Sequence, residues 1–219
     1  MRFTIRRKLA LAVLAAAVLL WSGPVLGSDL TRGIQKKYQS IQSLKTDFLQ
    51  KLTNASSGEV EDHYGRIYFR KPGHIRWEEE RPGQELLIVN GEVAWDYFPE
   101  EGVAYKYGLE EKFESQTMLK FITGDVDLAG DFRIERQGTE QGWAKIKLVP
   151  KKPEPNLVLA YIWVEEQSSL LRQVLLVDFF GNGNQLTFSN LELNIELDDA
   201  LFEFTPPEDA IVRENPKMQ

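Results

Sequence analysis

The chain has 219 residues and no cysteine, and its 26 Lys+Arg against 33 Asp+Glu give a formal charge of −7. A content of 42% hydrophobic and 11% aromatic residues excludes a disordered chain, and the length fits one or two globular domains. The acidic balance argues against nucleic acid as a partner. The lack of cysteine excludes disulfides, thiolate catalysis, cysteine zinc sites and a cysteine-linked lipid anchor, and two histidines argue against a histidine metal site.

Residues 1–27 have the features of a cleaved secretory signal peptide. A basic start precedes the apolar stretch from Leu9 to Leu20, which is too short to span a bilayer comfortably as a helix. Val25 and Gly27 are small enough for cleavage directly after Gly27. An uncleaved membrane anchor is the alternative, and it is disfavoured because nothing apolar extends past Pro24.

The residue after this segment is Ser28, where a lipid-anchored protein would carry cysteine. We therefore expect a secreted protein without an acyl anchor, with residues 28–219 forming a single domain. Removal of residues 1–27 takes away four basic residues and no acidic ones, which leaves a charge of −11. Such a body should be repelled by anionic lipid surfaces.

Apolar residues at helical spacing predict a first helix over residues 29–42, with Ser28 or Asp29 as its N-cap. From Leu44 the apolar residues alternate and predict a strand, although a helix continuing to Leu52 also fits. Turn signals then recur at short intervals, and Asn90-Gly91 is the strongest hairpin signal among them. The pattern is typical of an antiparallel meander.

Residues 110–124 interrupt this meander and suit one or two short helices that end at Gly124. Strands then resume as far as Glu196, with a bulge predicted near Ser189-Asn190, and Pro206-Pro207 should end regular pairing. The total is about ten strands with few helices. A curved antiparallel sheet with helices on its concave side satisfies the rule that each apolar face must be covered.

Strand alternation predicts which side chains face inward. The run from Leu86 to Val89 is apolar on both faces, so its direction stays open. Elsewhere the inward set is rich in aromatic residues and comprises Ile67, Phe69, Lys71, Ile75, Trp77, Val93, Trp95, Tyr97, Val103, Tyr105 and Tyr107, with Arg66, Arg70, Arg76 and Glu78 outward. This set is either an ordinary core or an incompletely covered concave face for an apolar ligand. The scarcity of helix favours the second interpretation.

No catalytic constellation is found in the sequence. There is no Gly-x-Ser-x-Gly motif, and Gly181-Asn182-Gly183-Asn184 joins two strands as a turn rather than a phosphate loop. Carboxylate runs such as Glu78-Glu79-Glu80 are interpreted as solvated edges, because neighbours in a strand point to opposite faces while a glycosidase needs two carboxylates across a cleft. No cofactor and no metal are expected.

The ordered set of glycines, prolines and aromatic residues resembles the LolA family of periplasmic outer-membrane lipoprotein carriers. The resemblance spans most of residues 29–213. It is carried by Phe48-Leu49-Gln50, Gly65 to Tyr68, Pro72, Trp77, Pro82, Leu87, Gly91, Trp95, Tyr97, Pro99 and the ending Phe202-Glu203-Phe204-Thr205-Pro206-Pro207. It implies a mainly β fold: an unclosed (half) antiparallel β-barrel of about eleven strands, with helical lids on the concave face and a cavity for acyl chains.

The resemblance also implies a function and partners. The protein would be a monomeric periplasmic carrier, not an enzyme, that takes acylated lipoproteins from an inner-membrane LolCDE-type ABC transporter to an outer-membrane acceptor, LolB or an equivalent. LolB shares the fold but is itself a lipoprotein, so the absence of cysteine favours the carrier. One alternative is an envelope lipid-sensing or lipoprotein-sensing binding domain of the same fold. Another is an envelope hydrolase that acts on lipid or glycan.

The residues expected at the site follow from this resemblance and from the alternation. The acyl-chain cavity would be formed by Ile67, Phe69, Ile75, Trp77, Leu87, Val89, Val93, Trp95, Tyr97 and Tyr105, and the lid by Tyr38, Ile41, Met118, Leu119 and Ile122. The family holds its lid shut with an arginine directly before a proline, where this chain has Lys71 after Arg70. Lysine offers a point charge instead of a planar fork, so either residue is a candidate latch.

Overall fold

A computed structural model describes residues 26–108 and 117–214. Within these ranges the helices are α1 (Leu26–Ser40), α2 (Thr117–Thr123), α3 (Leu128–Asp131) and a 3-10 helix (Asp199–Phe202). The strands are β1 (Ser43–Thr53), β2 (Val60–Arg70), β3 (His74–Arg81), β4 (Glu85–Asn90), β5 (Val93–Phe98), β6 (Val103–Gly108), β7 (Phe132–Glu140), β8 (Trp143–Pro150), β9 (Leu159–Glu165), β10 (Leu170–Val177), β11 (Gly183–Leu193) and β12 (Ile211–Glu214). No described helix combines the length and apolar character needed to cross a bilayer.

All twelve described strands belong to one sheet, in the order β12-β6-β5-β4-β3-β2-β1-β11-β10-β9-β8-β7. Neighbours are antiparallel except β12, which lies parallel to β6. Because β7 and β12 are the two edges, the sheet does not close, and the predicted half-barrel is confirmed. The sequence pattern missed β12, which follows Pro206-Pro207 at a point where pairing was expected to end.

In the N-terminal part of the fold, the segment from Leu44 to Leu52 is a strand and not a continuation of the first helix. α1 begins at Leu26, earlier than predicted, and residues 1–25 of the predicted signal peptide lie outside the described residues. β1 begins at Ser43, and its buried Leu44, Thr46 and Phe48 alternate with half-buried neighbours. This strand is central because it pairs with both β2 and β11, and the β11 side shifts register near Asn190, where a bulge was predicted.

The helices cover the concave face, as predicted. Buried side chains of α1, α2 and α3 belong to the same apolar cluster as the concave residues of the strands. Gly124 follows α2 with φ of 78°, and a Cβ there would stand 2.7 Å from the Cβ of Tyr38. Glycine thus both ends the helix and allows α2 to approach α1 closely. Leu109 and Phe113, also expected in this helical region, lie outside the described residues.

The convex face is covered in part by residues 194–207, here called the convex strap. Arg70 donates a hydrogen bond to the carbonyl of Leu197 at 3.1 Å and forms an ion pair with Asp199 at 2.6 Å. Its guanidinium also lies 4.8 Å from the ring centroid of Phe202, which is only 1% exposed. The strap therefore gives the sheet a second apolar layer on the outside.

Candidate functional site

A cavity of about 700 Å³ opens on the concave side of the sheet, towards the end where β1 and β10 finish and β2, β4 and β11 begin. α2 lies over part of it. Its apolar wall consists of Leu52, Trp77, Leu87, Met118, Leu119 and Leu176. Such a concave space with an apolar wall is typical of a binding site for an apolar group.

Strand register shows how the wall changes along the sheet, because paired residues lie on the same face. Three concave rungs cross β2, β3 and β4 in succession: Phe69-Ile75-Val89, then Ile67-Trp77-Leu87, then Gly65-Glu79-Glu85. The first rung is fully buried, the second borders the cavity through Trp77 and Leu87, and the third is acidic. The concave face thus changes from apolar to anionic within four residues of each strand.

Five carboxylates line the cavity, on Glu59, Glu61, Glu79, Glu85 and Asp178. His63 lies between two of them, with Nδ1 at 2.6 Å from an oxygen of Glu79 and Nε2 at 3.5 Å from one of Glu61. In the part of the chain that the structure describes, no three histidine or carboxylate side chains are placed to hold a metal ion.

Asp178 is held in position by its own loop. Both the backbone N–H and the side-chain amide of Asn182 donate to its carboxylate, each at 2.8 Å. Burial opposes ionisation of Asp178, but these hydrogen bonds outweigh it and keep its pKa below the usual range. The carboxylate at this corner of the cavity therefore stays ionised at neutral pH.

Only part of the predicted acyl-chain set borders the cavity. Trp77 and Leu87 line it directly. Ile67, Phe69, Ile75 and Val89 lie on the concave face but are at most 2% exposed beneath the helices. Tyr105 also faces the concave side, as its pairing with Asp96 requires, and it is half-buried.

The prediction that Val93, Trp95 and Tyr97 face inward is wrong. Ala94 and Asp96 pair with Val89 and Leu87 and therefore occupy the concave face of β5. Trp95 and Tyr97 instead lie on the convex side, with ring centroids 5.6 and 5.4 Å from that of Phe204 in the convex strap. Alternation alone failed here because the strap gives the outer face of β5 apolar partners from a distant part of the sequence.

The predicted lid residues all lie in the helical cover or directly after it. Their side chains are buried and pack in the cluster that fills the concave face; they are Tyr38, Ile41, Met118, Leu119 and Ile122.

The two latch candidates contact different parts of the protein. Lys71 Nζ donates to the carbonyls of Tyr38 and Gln39 at 3.1 and 3.0 Å, at the C-terminal end of α1. Arg70 points to the convex strap, so Lys71 alone of the two contacts the helical cover.

Tyr38 fastens α1 to the other half of the sheet. Its hydroxyl accepts a hydrogen bond from the buried backbone N–H of Leu171 at 3.2 Å, next to a register shift in β10. Burial raises the pKa of Tyr38 well above its usual value, so the hydroxyl stays neutral.

A Tyr38→Phe substitution should lower the free energy of unfolding by about 1–2 kcal/mol, because the N–H of Leu171 would lose its partner inside the protein. Urea denaturation followed by circular dichroism measures this change. Tyr64→Phe, which removes a hydroxyl on the convex side of β2, is the matched control and should change stability little. Equal stability of the two variants would contradict this role for Tyr38.

The comparisons with known proteins agree with this geometry. A family profile described as outer membrane lipoprotein carrier protein LolA matches residues 39–205. The chain belongs to the LolA family. An outer-membrane lipoprotein carrier protein of Methylococcus capsulatus is 32% identical over 170 residues, which cover 77% of this LolA-family chain and 79% of the relative. One of Nitrosomonas europaea is 26% identical over 198 residues, covering 90% and 95% of the two chains.

Solved structures support the fold of this LolA-family protein. An uncharacterized conserved protein from Thermus thermophilus superposes with a TM-score of 0.56 at 12% identity, covering 86% of this chain and 98% of that one. The Mycobacterium tuberculosis lipoprotein LppX superposes with a TM-score of 0.51 at 15% identity, covering 81% and 99%. At such low identity these likenesses concern architecture alone.

Proposed function

We propose that this LolA-family protein is a periplasmic carrier that binds the acyl chains of lipoproteins and moves them between membranes. The observation that carries the proposal is the cavity with its apolar wall, placed between the concave sheet and α2. The names of the related outer-membrane lipoprotein carriers support the same role. The protein would act without catalysis, cofactor or nucleic acid.

A carrier is needed because removal of a lipoprotein from its membrane costs a large free energy. Burial of an acyl chain is worth about 0.8 kcal/mol per CH₂ group, so one sixteen-carbon chain holds a lipoprotein in its membrane by about 12 kcal/mol. The carrier must therefore replace the bilayer with apolar protein surface. We infer that an LolCDE-type ABC transporter supplies the energy for loading, and that LolB or an equivalent acceptor receives the cargo.

Release from the carrier must need no further energy. The helical cover offers a means, because its apolar side chains belong to the same buried cluster as Ile67, Phe69 and Ile75. Loading would displace α1 or α2 and expose these residues to the acyl chains. Delivery would restore the helix contacts, and this restored packing would keep the affinity for cargo moderate.

A release assay tests the proposal. The exported protein is added to spheroplasts that synthesise a radiolabelled outer-membrane lipoprotein, and the soluble fraction is examined for label bound to the protein. We expect ATP-dependent release of a soluble complex. Trp77→Ala, in the cavity wall, should reduce release, whereas Trp95→Ala, a half-buried tryptophan on the convex face, should not.

The alternatives predict different results. A folded protein that releases no label in the presence of a competent transporter would overturn the carrier and favour a lipid-sensing domain of the same fold. Turnover of ester or glycoside substrates that is lost on substitution of a single carboxylate or serine would favour a hydrolase instead. Equal loss of release in the two tryptophan variants would contradict the placement of the site.

A further inference from the structure

The most exposed large apolar side chains among the described residues are two neighbours in one turn. Phe179 and Phe180 lie between β10 and β11, in residues 178–182, here called the 178–182 turn, and are 72% and 77% exposed. Their ring centroids are 5.6 Å apart with the ring planes at 84°, so the two rings form one continuous apolar surface. Exposed apolar surface of this kind often marks an interaction site.

The 178–182 turn is held in place by hydrogen bonds within it and on both sides of it. The backbone N–H of Asp178 donates to the carbonyl of Asn182 at 3.1 Å, which closes the turn. The N–H of Phe179 donates to the carbonyl of Pro155 at 2.9 Å, in the loop between β8 and β9. From the loop between β1 and β2, the N–H of Ala55 donates to Oδ1 of Asn182 at 3.0 Å. A fixed backbone therefore presents both rings to solvent.

The 178–182 turn borders the mouth of the cavity. Asp178 and Asn182, its first and last residues, both line the cavity. Another exposed apolar side chain lies at the same end of the sheet: Val60, 52% exposed, pairs with Thr53, which in turn pairs with Gly183 directly after the turn. Apolar surface is thus exposed beside the opening through which an acyl chain would pass.

The size and chemistry of this surface favour a lipid bilayer over a protein partner. Complete burial of two phenylalanines covers about 300–500 Å², less than the area of about 800 Å² that each partner contributes to a stable protein interface. Apolar rings on an exposed turn can enter the boundary between headgroups and acyl chains without a complementary surface. The net negative charge of the protein favours a zwitterionic bilayer over an anionic one.

We propose that the 178–182 turn is a membrane contact site, which inserts Phe179 and Phe180 into the surface of a zwitterionic bilayer and sets the cavity mouth against it. An acyl chain would then pass between bilayer and cavity with less exposure to water. Two rings give a weak and reversible contact, as a protein that moves between membranes requires. This purpose rests on the proposed carrier function, whereas the contact itself is a property of the protein without cargo.

Flotation of the protein with phosphatidylcholine vesicles tests the inference. The full chain is expressed, the exported protein is purified, and its partitioning is measured over a range of lipid concentrations. Phe179→Ser/Phe180→Ser should lower the partition coefficient at least tenfold, because burial of one phenylalanine is worth about that factor. Ile211→Ser/Val212→Ser, which removes two exposed apolar side chains from the edge strand β12, is the matched control and should retain binding.

A tryptophan in the turn locates the inserted ring. The emission that Phe180→Trp adds to that of the unsubstituted protein should be quenched by phosphatidylcholine with brominated acyl chains, because the ring would lie at the acyl boundary. The inference is overturned if the unsubstituted protein does not float with the vesicles, if the added emission is not quenched, or if both serine variants lose binding equally.

Further outcomes separate a membrane contact from other roles of the turn. Binding that required phosphatidylglycerol would indicate an electrostatic contact and overturn the inference. A Phe179→Ser/Phe180→Ser variant that still floated with vesicles, yet released no lipoprotein from spheroplasts, would place the turn against a protein partner and also overturn it. Normal flotation of an unsubstituted protein that releases no lipoprotein would instead count against the proposed function and support the membrane contact.

Discussion

Replacement of Gly65 by alanine should lower the free energy of unfolding by about 3 kcal/mol, the upper range for overpacking a core. Gly65 lies at the register shift between β2 and β3, where the strands approach closely. A Cβ at this position would stand 1.9 Å from the backbone oxygen of Glu78 and 2.8 Å from Cζ of Phe48. The backbone cannot move aside without losing pairing between the two strands that carry the cavity wall.

Urea denaturation of Gly65→Ala and of Gly83→Ala measures this expectation. Gly83, in the turn between β3 and β4, has no heavy atom within 4 Å of an added Cβ, so its substitution should be nearly neutral. If the Gly65 variant matched the Gly83 variant in stability, the close approach of the strands would be refuted.

Ile75 is a poor position at which to test cargo binding by introducing a charge. Its side chain is only 1% exposed, so a glutamate there would destabilise the core.

Lys71→Met should loosen the helical cover and increase the affinity for acylated peptides about tenfold. The substitution removes two hydrogen bonds from the ammonium group to the last carbonyls of α1, with a net cost of about 1–2 kcal/mol to the closed arrangement. It also removes a positive charge from the negative end of the helix dipole. Because closure competes with loading, a weaker closed state should favour the bound state.

Amide hydrogen exchange of α1 and lipopeptide anisotropy provide the two measurements. Exchange in α1 should accelerate in Lys71→Met and be restored in Lys71→Arg, which supplies the residue expected from the family resemblance. Lys51→Met, which removes an ion pair with Asp62 on the convex side, is the control. Unchanged exchange in α1 would show that Lys71 does not hold the cover.

The faces of β2 and β3 could be predicted from sequence because apolar side chains alternate with charged ones along both strands. Arg66 and Asp47 are joined by an ion pair at 2.9 Å on the convex surface, as are Arg76 and Glu78 at 2.5 Å. The prediction failed at β5, whose outer face meets Phe204 more than a hundred residues later in the chain. Periodicity within one strand contains no information about a distant segment that covers it.

The site was predictable in part for the same reason. Alternation placed Trp77 and Lys71 on the inner side, whereas Leu87 was expected there only from the family resemblance. The acceptors of Lys71 at the end of α1 depend on how that helix packs. Glu79 was interpreted as part of a solvated edge, and Glu85 was not among the residues singled out. The available signal was the alternation itself, since residues two positions from Trp77 and Leu87 share their face.

The unpaired edges of the sheet have a mechanical consequence. A closed barrel has a fixed internal diameter, because any widening breaks hydrogen bonds between strands. Here β7 and β12 form the two edges of one continuous strip, and small rotations spread over all neighbouring strands can change its radius of curvature with every ladder intact. The convex strap, fastened to β2 and β3 through Arg70 and Arg76, lies across the outside of this strip and opposes its flattening. The volume on the concave side of the sheet can therefore change with the size of what it encloses, while the strap tends to restore the original curvature.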